Sequence, residues 1–162
     1  MKSLVIIRHA KAETTFTLND FERSLNDRGK ADAPTMAKRL HKKIKIDAFV
    51  SSPAKRTKKT AEFFADAFGI DEKNIIYISA LYQAPVGVFF EVVSALADRV
   101  DSVAIVAHNP GITDFANQLI PEARLDNMPT CSVFAVRADV DQWSDFGKAK
   151  REFLFFDSPK SV

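Results

Sequence analysis

The chain has 162 residues, 46% hydrophobic and 27% charged, which suits one folded domain and excludes a disordered or membrane-embedded polypeptide. A net charge of +2, from 23 basic and 21 acidic side chains, argues against an overall nucleic-acid-binding surface. One cysteine cannot form an internal disulfide, no run approaches the roughly 20 apolar residues of a bilayer span, and the first apolar run stops at Arg8; a soluble protein of the reducing cytoplasm is expected.

In chain order, a short β-branched run at 4–8 reads as a buried strand, because continuous hydrophobicity implies a sheet covered on both faces. Ala33, Met36, Ala37 and Leu40 then fall on one face of a helix. The alternation repeats: a strand at 47–51, a helix carrying Ala61, Phe64, Ala65 and Phe68, and a strand at 74–79. A helix carrying Phe89, Val92, Val93 and Leu96, a strand at 102–107, and a helix carrying Ile112, Phe115, Ala116 and Leu119 complete it. Cys131–Val136 and Glu152–Asp157 come late with no long helix between them, which predicts an antiparallel edge. The fold class expected is a three-layer α/β/α sandwich with a mostly parallel central sheet and an antiparallel edge strand. The fourteen phenylalanines, Phe63, Phe64, Phe68, Phe153, Phe155 and Phe156 among them, are assigned to packing rather than to ligand stacking.

Ligands of open α/β sheets sit beyond the carboxyl ends of the strands, and here those ends carry unusual residues. The first strand ends in Arg8-His9, the second runs into Ser51-Ser52-Pro53 and then Arg56, and the fourth ends in His108-Asn109-Pro110. Two of the three histidines occupy these termini. Ser52-Pro53 and Asn109-Pro110 each read as an N-capping side chain followed by proline at the first helical position, so two helix starts are expected to face the same place. Helix amides, two guanidinium groups and two imidazoles converging there suit a tetrahedral dianion. Taken singly, each arginine or histidine is an ordinary surface or capping residue; the joint position at three strand ends carries the functional reading.

Other candidates have plainer explanations. Cys131 and Arg137 have C-x5-R spacing, but the glycine-free, β-branched stretch between them reads as strand, leaving Cys131 an inert thiol. His41 ends a helix, where a cation suits the dipole. Asp20, Glu22 and Asp27 are explained by solvation and helix capping as well as by any ligand role. Lys55, Lys58 and Lys59 read either as the solvated face of a helix or, with Lys11 and Arg23, as a basic rim.

Arg8-His9-Ala10, Ser52-Pro53 with Arg56, and His108-Asn109-Pro110-Gly111, in this order, resemble the histidine phosphatase superfamily over nearly the whole chain. The alanine after the histidine, the short length and the stretch Asp20, Arg23, Leu25, Arg28, Gly29 resemble its SixA-type phosphohistidine phosphatases. The resemblance implies a single catalytic domain over 1–157; the last residues, 158–162, read from the sequence itself as a loose tail. It implies His9 as nucleophile, with Arg8, Arg56 and His108 completing the phosphate pocket and Arg23 and Asn109 binding substrate. It implies no metal or other cofactor. Where the wider superfamily has a general-acid glutamate, this chain reads Leu81-Tyr82-Gln83-Ala84; only Glu91, Asp20 or Glu13 is left to reach the site. Without an acid, a phosphoramidate such as protein phosphohistidine is the expected substrate, because imidazole leaves more easily than an alkoxide. The expected partner is therefore a phosphohistidine-bearing protein, for instance a phosphotransfer domain, meeting an open site on a monomer, with no nucleic acid and no membrane involved. The alternatives are a small-molecule phosphomonoester phosphatase of the same superfamily and a non-catalytic phosphate-binding adaptor.

Overall fold

The computed structural model describes residues 1–14 and 19–160; residues 15–18, within the loop from Lys11 to Leu25 on which the expectation of an open site partly rests, lie outside the described residues. Six strands form one sheet: β1 (Lys2–Arg8), β2 (Ala48–Ser51), β3 (Ile76–Tyr77), β4 (Ser102–Ala107), β5 (Val133–Ala138) and β6 (Arg151–Asp157). Their order is β3-β2-β4-β1-β5-β6; the first four run parallel, and β5 and β6 pair antiparallel at one side. The helices are α1 (Asp27–His41), α2 (Lys55–Ala67), α3 (Val86–Ser94) and α4 (Gly111–Leu119).

Strand pleating builds the three layers. Along β1, Leu4 and Ile6 pack into a core with Phe89 of α3 and Phe115 of α4, whereas Val5 and Ile7 pack into a second core with Met36 of α1 and Phe64 of α2. Every residue of β4 is buried, as a central strand covered on both faces requires. The α/β/α sandwich expected from the sequence is the fold. No helix among the described residues is long and apolar enough to cross a membrane.

The helical stripes hold, and α1 shows why. The Asn26 side chain accepts a hydrogen bond of 2.9 Å from the Gly29 N–H, a cap worth about 1 kcal/mol. Ala33, Met36, Ala37 and Leu40 are all buried beneath it. A Cβ on Gly29 would stand 2.1 Å from the Lys11 carbonyl oxygen, so only glycine lets α1 lie against the loop that follows β1.

Five details differ from the sequence reading. The strand expected at 74–79 shrinks to Ile76–Tyr77, because the Asp71 carboxylate caps a 3-10 turn over Glu72–Asn74 and the pair lies exposed at the sheet edge. Cys131 precedes its strand; it takes a left-handed φ of 61° and donates its N–H to the Arg8 and His9 carbonyls. Phe153 is 39% exposed rather than packed, since β6 is an edge strand with a register shift opposite Ala135/Val136. Ser158 is buried rather than loose: its N–H meets the Asp157 carboxylate, which Arg39 and Lys43 hold from α1 and the segment after it. Finally, neither proline begins its helix. The residue before α2 is Ala54 and the residue before α4 is Pro110, with no side-chain cap on either.

Candidate active site

β4 lies between β1 and β2, with Arg8 opposite Ala107 and Ser51 opposite Val106, so the three chains leave the sheet side by side. The ladder continues past the strands: the His9 N–H meets the Ala107 carbonyl at 3.2 Å, and the Ser52 N–H meets the Val106 carbonyl at 3.1 Å. Beyond them is a pocket of about 430 Å³ lined by Arg8, His9, Arg23, Arg56, His108 and Asn109, with Asp20 and Gln83 on its wall. All six residues singled out from the sequence meet there. A hollow of about 540 Å³ beside Met1, Arg137 and Glu152 is larger but gathers no histidine.

His9 is buried, and its Nδ1 lies 2.7 Å from the Ala10 carbonyl oxygen. A carbonyl only accepts, so Nδ1 carries the proton and Nε2 keeps its lone pair. Ala10 is held in turn by the Thr60 hydroxyl of α2, 3.0 Å from the Ala10 N–H. Burial pulls the His9 pKa down to about 3, with His108, Arg56 and Arg8 adding to the fall and the Ala10 bond opposing it. The His108 ring stands 5.4 Å away, its Nε2 2.7 Å from the Ser52 hydroxyl, and burial followed by Arg56 lowers its pKa to about 4. Both imidazoles are neutral near pH 7.

Arg56, only 4% exposed in the first turn of α2, donates to the Asp20 backbone carbonyl at 2.6 Å and to the Asp20 carboxylate at 2.9 Å. The same carboxylate accepts from Tyr82 Oη at 2.6 Å and from Arg23 at 3.0 and 3.1 Å. Burial opposes ionisation of Asp20, but these partners, Tyr82 first and then Arg56, outweigh it and set its pKa at about 2. Arg8 donates to the Met128 carbonyl at 2.8 Å, and burial and Arg56 lower its pKa. Nε of Arg8, Nε of Arg56 and Nδ1 of His108 are buried with no hydrogen-bond partner among the described residues. Two guanidinium groups crowded against two neutral imidazoles make an electropositive pocket that suits an anion.

Asn109 lines the pocket, but its amide is engaged elsewhere, donating to Asn127 and Met128 and accepting from Thr113. Ser52 holds His108 instead of capping a helix. Tyr82, which sequence reasoning passed over, bonds Asp20 and sets its ring edge-on to His108 at 5.5 Å. Glu13 and Glu91 do not line the pocket, and Lys55, Lys58 and Lys59 line a separate groove rather than its rim. Cys131 is buried, which pushes its thiol pKa up. Among the described residues no group of three or more His, Cys, Asp or Glu could hold a metal ion.

A sheet that delivers two histidines and two arginines to one pocket defines a phosphoryl-handling enzyme, and the family comparison agrees: residues 4–89 match the histidine phosphatase superfamily (branch 1), and the chain belongs to it. It is a phosphatase of that superfamily, a hydrolase. Its structure is similar to that of SixA from Agrobacterium tumefaciens, assigned as a phosphohistidine phosphatase, with 28% identity, 98% of each chain covered and a TM-score of 0.82. The protein histidine phosphatase SixA solved with tungstate shares the fold at 23% identity, 97% of each chain and a TM-score of 0.82. A mycobacterial glucosyl-3-phosphoglycerate phosphatase shares it more distantly, at 17% identity, 94% of this chain, 97% of the other and a TM-score of 0.68. No curated protein sequence matches the chain.

Proposed function

We propose that the protein removes phosphate from a phosphohistidine on another protein, with His9 as nucleophile. The observation that carries this choice is that Asp20, the one carboxylate among the described residues lining the pocket, is ionised and bound by Arg56, Arg23 and Tyr82, so it has no proton to donate. The exposed Gln83 lines the wall where the superfamily's acid is expected, and it brings an amide. An alkoxide leaving group needs a proton in the transition state, a contribution of about 10² to 10⁴ in rate; imidazole does not need it to that degree.

In the first step the His9 Nε2 lone pair forms a bond to phosphorus as the substrate P–N bond breaks. The bond's electrons go to the departing imidazole, which takes a proton from solvent. In the second step water attacks phosphorus, the bond to His9 breaks, and phosphate leaves with the water's second proton released to solvent. Arg8, Arg56 and His108 stabilise the charge on the equatorial oxygens, Arg23 contacts the incoming phosphoryl group, and Asn109 shapes the wall. Positioning and charge suffice for such a transfer, so turnover is expected to be unchanged by EDTA.

The test compares substrates. A single-turnover reaction should label the enzyme with an acid-labile, base-stable phosphoryl group. Phosphohistidine peptides should be hydrolysed with a kcat/KM well above that for phosphoserine peptides or sugar phosphates. Ester hydrolysis as fast as phosphohistidine hydrolysis would overturn the substrate assignment, and turnover without any labelled intermediate would overturn the nucleophile.

A further inference from the structure

Beside the catalytic pocket runs a second groove of about 430 Å³, lined by Lys30 of α1, by Lys55, Lys58, Lys59 and Glu62 of α2, and by Ser24 and Leu25. The two hollows share no lining residue yet adjoin along the chain: Ser24 follows Arg23 and Lys55 precedes Arg56. All four lysines are exposed, and the one carboxylate, Glu62, lies 3.8 Å from Lys59.

Helix stability does not account for this placement. In α1 the last turn follows the helix dipole with Lys38, Arg39 and His41, and in the first turn Asp27 stands against Arg28 and Lys30. In α2 the order is reversed: no acidic residue stands in the first turn and no basic one in the last, while Lys55, Lys58 and Lys59 crowd the N-terminal end at mutually repelling spacings. Arg56 is explained by the pocket; Lys58 lies over the Tyr77 ring at 5.6 Å and Lys59 over the Phe63 ring at 5.2 Å, surface contacts that leave both ammonium groups exposed. In a chain whose net charge is only +2, four cations facing one carboxylate form a local field rather than a general basic surface.

We infer that this groove docks an acidic surface of the protein that carries the phosphohistidine, so that Asp and Glu side chains flanking the modified histidine sit among Lys30, Lys55, Lys58 and Lys59 while the phosphoryl group enters the pocket. The inference rests on the phosphohistidine reading above and adds the chemistry of the partner. Ammonium groups on flexible stems suit scattered carboxylates, and their field raises the rate of productive encounter.

Two peptides test it, each with one histidine phosphorylated by phosphoramidate: one flanked by Asp and Glu, the other identical but with Asn and Gln in their place. The native enzyme should favour the acidic peptide in kcat/KM by roughly 10- to 100-fold at low salt, through KM, and this ratio should collapse toward one near 0.5 M salt. The variant K30Q/K58Q/K59Q, which leaves the catalytic pocket intact, should reduce the ratio to below about 2 while its turnover of the neutral peptide stays within about twofold. No preference in the native enzyme, or one that survives the triple substitution, would overturn the inference. Fluorescence anisotropy of the unphosphorylated acidic peptide separates the two readings. If neither phosphopeptide is hydrolysed but the acidic one still binds through these lysines, the substrate assignment falls and the groove stands. A single-stranded DNA 20-mer that binds the groove more tightly than the acidic peptide would count against a protein partner.

Discussion

β1 carries a cation at each end, Lys2 buried and Arg8 half-buried, and the two are treated in opposite ways. At its start Lys2, 2% exposed, donates to the Asp101 carboxylate at 2.8 Å and to the carbonyls of Asp98 and Val100, with its ammonium 5.8 Å from the Trp143 ring. Trp143 closes the same cluster by donating its indole N–H to Val100 at 2.7 Å. At the other end Arg8 meets one carbonyl, its Nε has no partner among the described residues, and it stands beside a second guanidinium, Arg56, and two imidazoles that stay neutral near pH 7. The first arrangement satisfies a charge; the second concentrates unsatisfied donors. A buried cation contributes to stability only when its partners are built in, and a site that must hold an anion has to leave them out.

Exchanging the ends by mutation should therefore separate activity from stability. The largest effect is expected from His9→Ala: phosphohistidine turnover should fall by about 10⁴-fold or more and the phosphoenzyme label should vanish. Its Tm should shift by no more than about 3 °C. Lys2→Met should do the reverse, costing about 2–4 kcal/mol through the stranded Asp98 carbonyl and lowering Tm by roughly 5–15 °C, with kcat/KM of the folded enzyme within about twofold. A His9→Ala enzyme that melts as early as the Lys2→Met protein would break the comparison. Asp20→Asn sharpens it, because Asp20 is the one strong partner that Arg56 has. The prediction is a kcat reduced by roughly 10- to 100-fold while inorganic phosphate, freed from a repelling carboxylate, binds no more weakly than before. Equal loss in kcat and in phosphate affinity would make Asp20 a merely structural residue.

The two ends were not equally legible in the sequence. The site pole announced itself because strand ends in an α/β sheet lie at one edge, so Arg8, His9, Arg56 and His108 needed only their positions after apolar runs to be drawn together. The residues that support them left no such signal. Tyr82 lies 62 positions from Asp20, and the contact depends on how the segment between β3 and α3 is laid over the sheet. Ser52 and Asn109 were read as helix caps because local patterns favour that use; in the fold their polar atoms serve His108 and Thr113. The cluster around Lys2 has no local signature either, since nothing near it in sequence shows that Asp98, Val100 and Asp101 will close around it. Short β3 and exposed Phe153 were misjudged for a related reason: hydrophobicity marks a strand but not whether it lies at the centre or the edge.

The smallest effect reads the cost of the site pole directly. His9 and His108 have folded pKa values of about 3 and about 4, both below the ordinary histidine value of 6.5. Below pH 6.5 the unfolded chain therefore binds protons that the folded one refuses, so stability is complete above that pH and declines as pH falls toward the folded values. Asp20, at about 2 against an ordinary 3.8, adds stability that is lost only below this window. Between pH 8 and pH 5.5 each histidine should remove about 1.4 kcal/mol from the unfolding free energy, and the pair roughly twice that. In urea titrations at the two pH values, His108→Gln should lose about half of the histidine-dependent decline, whereas Lys2→Met, lower at both, should keep the native slope. A His108→Gln protein with the full native decline would mean that burial and the neighbouring guanidinium groups do not hold His108 neutral, and the contrast between the two ends of β1 would then lose its electrostatic basis.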